Sequence, residues 1–229
     1  MQLTRGNIKE SARDLLSSAG TEWFTDAMLN RFADMANVEV YQRIIGACPD
    51  FVTTVQSITW PANSASINLS GASYLNAVPL KIKSIESTMS SGEASVSNPT
   101  TPWESASYDE VMRARGSGAG QGGCYIYCLD QSTLHIAPMP AITLYPRVRW
   151  IAQLAAFAGD STVVLNGVAD QFHSAVTHTL AEMMNMKNGG ANRSITQKYV
   201  AEMGRIDAEA HRRTAAPRIM HPGRANIWR

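Results

Sequence analysis

The sequence predicts an α+β fold in which helices from both ends of the chain form a bundle and a β-rich lobe is inserted between them. Three observations predict it. Apolar residues recur at helical spacing over about the first fifty residues and again after Gly167. Between Phe51 and about residue 165 the period falls to two, with β-branched and aromatic residues prominent. The 229 residues, 45% hydrophobic and 17% charged, suffice for one good core, or one core and a smaller satellite. The expected organisation is N-terminal bundle helices over 1–50, a β-rich insertion over 51–165, C-terminal bundle helices over 166–213 and an extended arm over 214–229.

Each element has its own signal. Ile8, Ala12, Leu15, Leu16 and Ala19 lie along one helical stripe and Gly20 follows, so a short amphipathic helix is expected over 6–19. A second helix starts where Thr25 can cap free amides and Asp26 suits the positive end of the dipole. Its stripe is Leu29, Phe32, Ala33, Ala36 and Val40, and it should end near Gly46. Strands are expected over 52–60, closed by Pro61, then over 67–69 and 80–85. The stretches 90–101 and 115–123, rich in Ser, Pro, Asn and Gly, read as loops with a short helical piece over 108–113 between them. Residues 125–128 and 133–136 flank the polar Asp130-Gln131-Ser132, the pattern of an antiparallel hairpin, and a further strand is expected over 142–151. Val168, Phe172, Ala175, Val176, Thr179, Leu180 and Met183 then mark one helical face, stopped by Gly189-Gly190, and a last helix runs over 194–213.

Composition excludes several classes of function. Twenty Lys and Arg against 19 Asp and Glu leave a net charge of +1, without the basic footprint of a nucleic-acid binder. Cys48, Cys124 and Cys128 are odd in number and lack C-x-x-C spacing, which argues against a disulfide scaffold and for a reducing, cytoplasmic folding environment. The opening MQLTRGNIKESARDLL has no apolar signal core and no run of 18 apolar residues occurs, so neither secretion nor membrane spanning is expected.

The candidate chemistry reads more simply as structure. Gly118, Gly120 and Gly123 match G-x-G-x-x-G by count but precede a strand instead of opening a helix, so a loop is expected and no nucleotide. Cys124, Cys128 and His135 would sit on a hairpin with no fourth metal ligand. His173 and His178 stand five apart, not the four of a helical metal pair. No nucleophile elbow, P-loop or H-E-x-x-H occurs, and the acids are scattered singly, so no catalytic residue and no cofactor is expected.

The C-terminal end differs. Arg205, Arg212, Arg213, Arg218, Arg224 and Arg229 outnumber Asp207 and Glu209, and Ile219, Met220, Ile227 and Trp228 are interleaved. Pro217, Pro222 and Gly223 bar a continued helix. Such a segment is expected to gain order on a partner surface, with Trp and Arg as anchors.

Several stretches together resemble a known family. They are Trp23-Phe24-Thr25-Asp26-Ala27-Met28-Leu29-Asn30, then Tyr74-Leu75-Asn76-Ala77-Val78-Pro79-Leu80-Lys81-Ile82-Lys83-Ser84-Ile85, then Tyr125-Ile126-Tyr127. Ser132-Thr133-Leu134-His135-Ile136-Ala137-Pro138-Met139-Pro140 and Ala169-Asp170-Gln171-Phe172-His173-Ser174-Ala175-Val176 follow in the same order. Over 21–213 the chain resembles the head-to-tail adaptor, or connector, proteins of tailed double-stranded DNA bacteriophages; 87–123 aligns with no feature of that family. The resemblance implies a non-enzymatic virion protein at the head-tail junction, made in the host cytoplasm. It implies a homo-oligomeric ring, commonly a dodecamer, under the portal protein and above a tail or nozzle protein, with genomic DNA passing through the channel without sequence-specific binding and no membrane partner. The arm that reaches the portal would carry Arg212, Arg213, Arg218, Ile219, Met220, Arg224, Ile227, Trp228 and Arg229. Two alternatives stay open: a DNA-binding module using the Arg-rich end, and an adaptor with an added peptidoglycan-cleaving activity.

Overall fold

A computed structural model describes residues 3–16, 24–69, 74–75, 77–88, 100–117, 125–165 and 170–214. The fold is α+β, and it divides into two compact units, residues 1–51 with 156–229 and residues 52–155.

The first unit is helical: α1 (Arg5–Leu16), α2 (Asp26–Ala47), and, beyond the other unit in sequence, two further long helices, His173–Lys187 and Arg193–Thr214. The Thr25 hydroxyl accepts from the Met28 amide and so caps α2 where the sequence places its start. The helix over His173–Lys187 packs against α1, α2 and the last helix, which explains why its burial exceeds a single stripe: Ala175, Val176, Leu180, Ala181 and Met184 are all enclosed. Gly189 and Gly190, with φ of 94° and 68°, occupy the left-handed region that stops this helix, and the Gly190 amide donates to the Asn185 carbonyl at 2.8 Å. Asn185 then ties the turn to the last helix, accepting from the Asn192 amide at 3.1 Å and donating to the Asn192 carbonyl at 3.2 Å.

A segment from the same unit closes over α1. The Gly6 amide donates to the Asp160 carbonyl at 2.9 Å, and a Cβ on Gly6 would stand 3.3 Å from that oxygen. Lys9 is buried because its ammonium donates to Asn30 at 2.9 Å and pairs with Asp160 at 2.8 Å.

The second unit holds β1 (Thr53–Ser57), β2 (Ser66–Asn68), β3 (Pro79–Thr88), β4 (Thr100–Pro102), β5 (Glu104–Ser105), α3 (Tyr108–Ser117), β6 (Ile126–Asp130), β7 (Thr133–Ala137) and β8 (Arg147–Ala152). The helices of the first unit that follow are therefore α4 (His173–Lys187) and α5 (Arg193–Thr214). Two four-stranded sheets form, ordered β1-β8-β3-β4 and β2-β7-β6-β5. They enclose one core in which Trp60, Trp103 and Trp150 join Ile67, Ile85, Leu134, Ile136 and Val148. The Trp60 and Trp103 rings meet edge to face with centroids 5.7 Å apart, and both indoles find acceptors, the Ser64 carbonyl at 2.8 Å and the Ser87 hydroxyl at 2.7 Å. Alternation along β6 turns Tyr127 to this core and Cys128 to a smaller cluster with Val111 of α3.

Several expectations need correction. Thr100 and Thr101 are not loop: they form β4, antiparallel to the end of β3. Arg115 to Ser117 continue α3, because Arg115 is held by acceptors on the sheet below it. The last strand starts at Arg147, Leu144 making only an isolated bridge to Trp60, and Val52 ends a 3-10 turn before β1. Phe32 and Met183, assigned to the core stripes of their helices, are only partly buried; Met184 takes the enclosed place on α4. The remainder of 90–101 and 115–123, with Cys124, lies outside the described residues, as do Trp23 and Ala19.

Candidate assembly surface

Among the described residues, no chemical centre is built from those the sequence singles out. Cys128 and His135 are direct cross-strand partners, and burial pushes the Cys128 thiol up. His135 is held below the ordinary histidine range by burial and then by the neighbouring Arg115, whose guanidinium lies 3.3 Å from its Nδ1. A guanidinium in that place opposes a metal. Among the described residues no three His, Cys, Asp or Glu side chains are grouped to hold one. His173 is buried at the start of α4, its Nδ1 3.9 Å from Asp170 and neither ring nitrogen hydrogen-bonded among the described residues, and His178 lies on the same helix with its Nδ1 enclosed and unbonded among them. No helix among the described residues is long and apolar enough to cross a membrane.

The helical unit does carry an unusual surface. Its exposed large hydrophobic residues, among those described, are Met35, Val38, Met186 and Val200, from 44% to 67% exposed. All four line a set of adjoining grooves over α2, α4 and α5. The spacing explains the convergence: Phe32, Met35 and Glu39 lie three and four apart on α2, and Thr179, Glu182, Met183 and Met186 do the same on α4. The remaining wall comes from Tyr199, Val200, Met203 and Gly204 of α5. Methionine-rich, adaptable apolar ground of this kind suits contact with another protein segment.

Carboxylates border it. Glu39 accepts from the Tyr199 hydroxyl at 2.8 Å, and burial followed by this bond raises the Tyr199 phenol above its ordinary value. Glu182 accepts from the Thr196 hydroxyl at 3.0 Å and from Asn185 at 3.2 Å. Asp34 lines the same ground with Oδ1 enclosed and without a hydrogen-bond partner among the described residues. None of the three pairs with a cation among the described residues, whereas Arg43 at the far end is taken by Asp207. Among the described residues, Lys187 is the cation lining the Met35 groove.

The residues expected to reach a partner stand in two groups. Arg212 and Arg213 fall in the last turn of α5, where the backbone alone is described. Arg218, Ile219, Met220, Arg224, Ile227, Trp228 and Arg229 lie outside the described residues.

Comparison with known families decides the class. The family described as SU10 adaptor protein matches residues 3–223, nearly the whole chain. The chain belongs to the SU10 adaptor family. As an SU10 adaptor it is a structural head-to-tail adaptor protein of a bacteriophage virion. A search of curated proteins gave no match. Seen as an SU10 adaptor's, the surface over α2, α4 and α5 belongs to a protein whose task is to be joined to others. The sequence does not name it, although α2 carries a signal: Met28, Met35 and Val38 make it apolar beyond its core stripe.

Proposed function

We propose that this adaptor forms a closed ring beneath the portal protein at the head-tail junction and links the DNA-filled head to the tail or nozzle protein below. The observation that carries the reading is the family match over residues 3–223. A ring of identical subunits needs a heterologous contact that closes by rotation. The exposed apolar surface over α2, α4 and α5 is suited to one side of such a contact.

The portal contact falls to the C-terminal arm. Arg212, Arg213, Arg218, Arg224 and Arg229 supply charge-assisted donors, and Ile219, Met220, Ile227 and Trp228 supply apolar anchors. Genomic DNA passes through the channel without being read, in keeping with a net charge of +1. Copies made in the host cytoplasm keep Cys48 and Cys128 as buried free thiols. The role is structural, with no catalytic residue, cofactor or metal and no membrane partner.

Mixing the protein with its portal and weighing the products by mass photometry tests the arm. Full-length chain should give one discrete multi-copy complex, and a chain ending at Arg213 should give none while remaining folded by circular dichroism. Equal assembly by both chains removes the arm from the contact. Binding to free DNA that weakens steeply with salt, with no portal complex, would favour the DNA-binding alternative.

A further inference from the structure

Three observations on the helical unit converge on an occupant for its apolar surface. The surface is apolar and deformable: Met35, Val38, Met183 and Met186 line the grooves between α2 and α4, and Val200 lines the adjoining ground on α5. Its carboxylates Asp34, Glu39 and Glu182 have no cationic partner among the described residues. One of them, Asp34, has an enclosed oxygen with no donor among the described residues. The matching chemistry is an apolar segment that carries cations and no acid.

Residues 215–229 of this same chain have that composition. Arg218, Arg224 and Arg229 alternate with Ile219, Met220, Ile227 and Trp228, and no Asp or Glu occurs among them. The reach is sufficient. The grooves run along α5 from Arg193 to Asp207, about 21 Å at the helical rise. Residues 218–229 in an extended conformation span about 40 Å, starting just past Thr214 where α5 stops. Pro217 cannot continue the helix, which favours a reversal there. Within one chain the segment is present at an effective concentration of about a millimolar, so modest affinity is enough to close it.

We propose that in the free subunit residues 215–229 fold back along α5 and cover the apolar surface over α2, α4 and α5, and that the portal draws them away. The consequence rests on the proposed portal role of the arm: one event would dock the arm and bare the surface a neighbouring subunit needs. The fold-back itself does not depend on that role.

The test is site-specific photo-crosslinking in the full-length chain, with Trp228→p-benzoylphenylalanine and mass-spectrometric mapping. At low micromolar concentration without portal, the expected product has monomer mass and links position 228 to Met35, Met183 or Met186. Asp34→Asn, which breaks no hydrogen bond or ion pair present among the described residues, should lower the yield about twofold or more by removing a carboxylate. Links confined to the second unit, no link, or products only of dimer mass would each overturn the fold-back, the last assigning the segment to a neighbouring copy. With portal added, the links should move onto the portal. Links that stay on Met35 or Met186 within a stable portal complex uphold the fold-back and remove the arm from the portal contact.

Discussion

His135 in the β unit and His178 on α4 are both held below the ordinary histidine pKa, chiefly by burial, with Arg115 adding to the effect at His135 and Lys198 and Arg205 at His178. A depressed folded-state pKa means that the unfolded chain takes up the proton first on acidification. The associated stability is complete above the unfolded value of about 6.5 and is lost as pH falls through the lower folded values. Urea unfolding should therefore show a midpoint that drops between pH 7.5 and pH 5.5, and the double variant His135→Gln, His178→Gln should flatten that slope; an unchanged slope contradicts the assignment. At this scale the sequence was partly legible. Thr25 was readable as a cap because its role depends only on the few residues after it, and the Met28 amide does donate to its hydroxyl. The Ser107-x-x-Glu110 capping box, in which Glu110 accepts from the Ser107 amide at 2.8 Å, is equally local. The places of Phe32 and Met183 are not legible in this way, because apolar side chains look alike in sequence whether they face the core or a groove.

Among elements, α3 shows what non-local contacts decide. Its neighbourhood reads as a short helix running into a glycine loop, yet it persists to Ser117. Arg115 accounts for the difference: its Nε donates to the Ile136 carbonyl at 2.9 Å and its Nη2 to the Ala65 carbonyl, pinning the helix across β7 and the segment before β2. Hydrogen bonds from a charged donor each contribute about 1.5–3 kcal/mol, so Arg115→Ala should raise amide exchange across α3 by about tenfold or more while β6 and β7 keep their protection. Hydrogen-exchange mass spectrometry reads this directly, and unchanged protection in α3 would show that Val111 and Ala114 suffice. The β6–β7 hairpin was legible because its turn is local, with Gln131 at φ 52° in the bend. The partners of β8 were not: it lies between β1 and β3, distant in sequence, and nothing in the alternation of Val148 and Trp150 names them.

For the whole molecule, the order helices, strands, helices was written in the change of hydrophobic period. The family was legible from residue classes along the chain, and its match spans residues 3–223. The groove over α2, α4 and α5 was not, since it gathers Met35, Met186 and Val200 from three helices whose packing periodicity alone does not fix. The central claim is the place of this protein in the particle. A cryo-electron microscopy map of the head-tail junction of the virion tests it most directly. The account predicts a ring of copies of this chain directly under the portal, each showing the four long helices and the two four-stranded sheets. A map in which the position under the portal is filled by another protein, or in which this chain is absent from the junction, would contradict it.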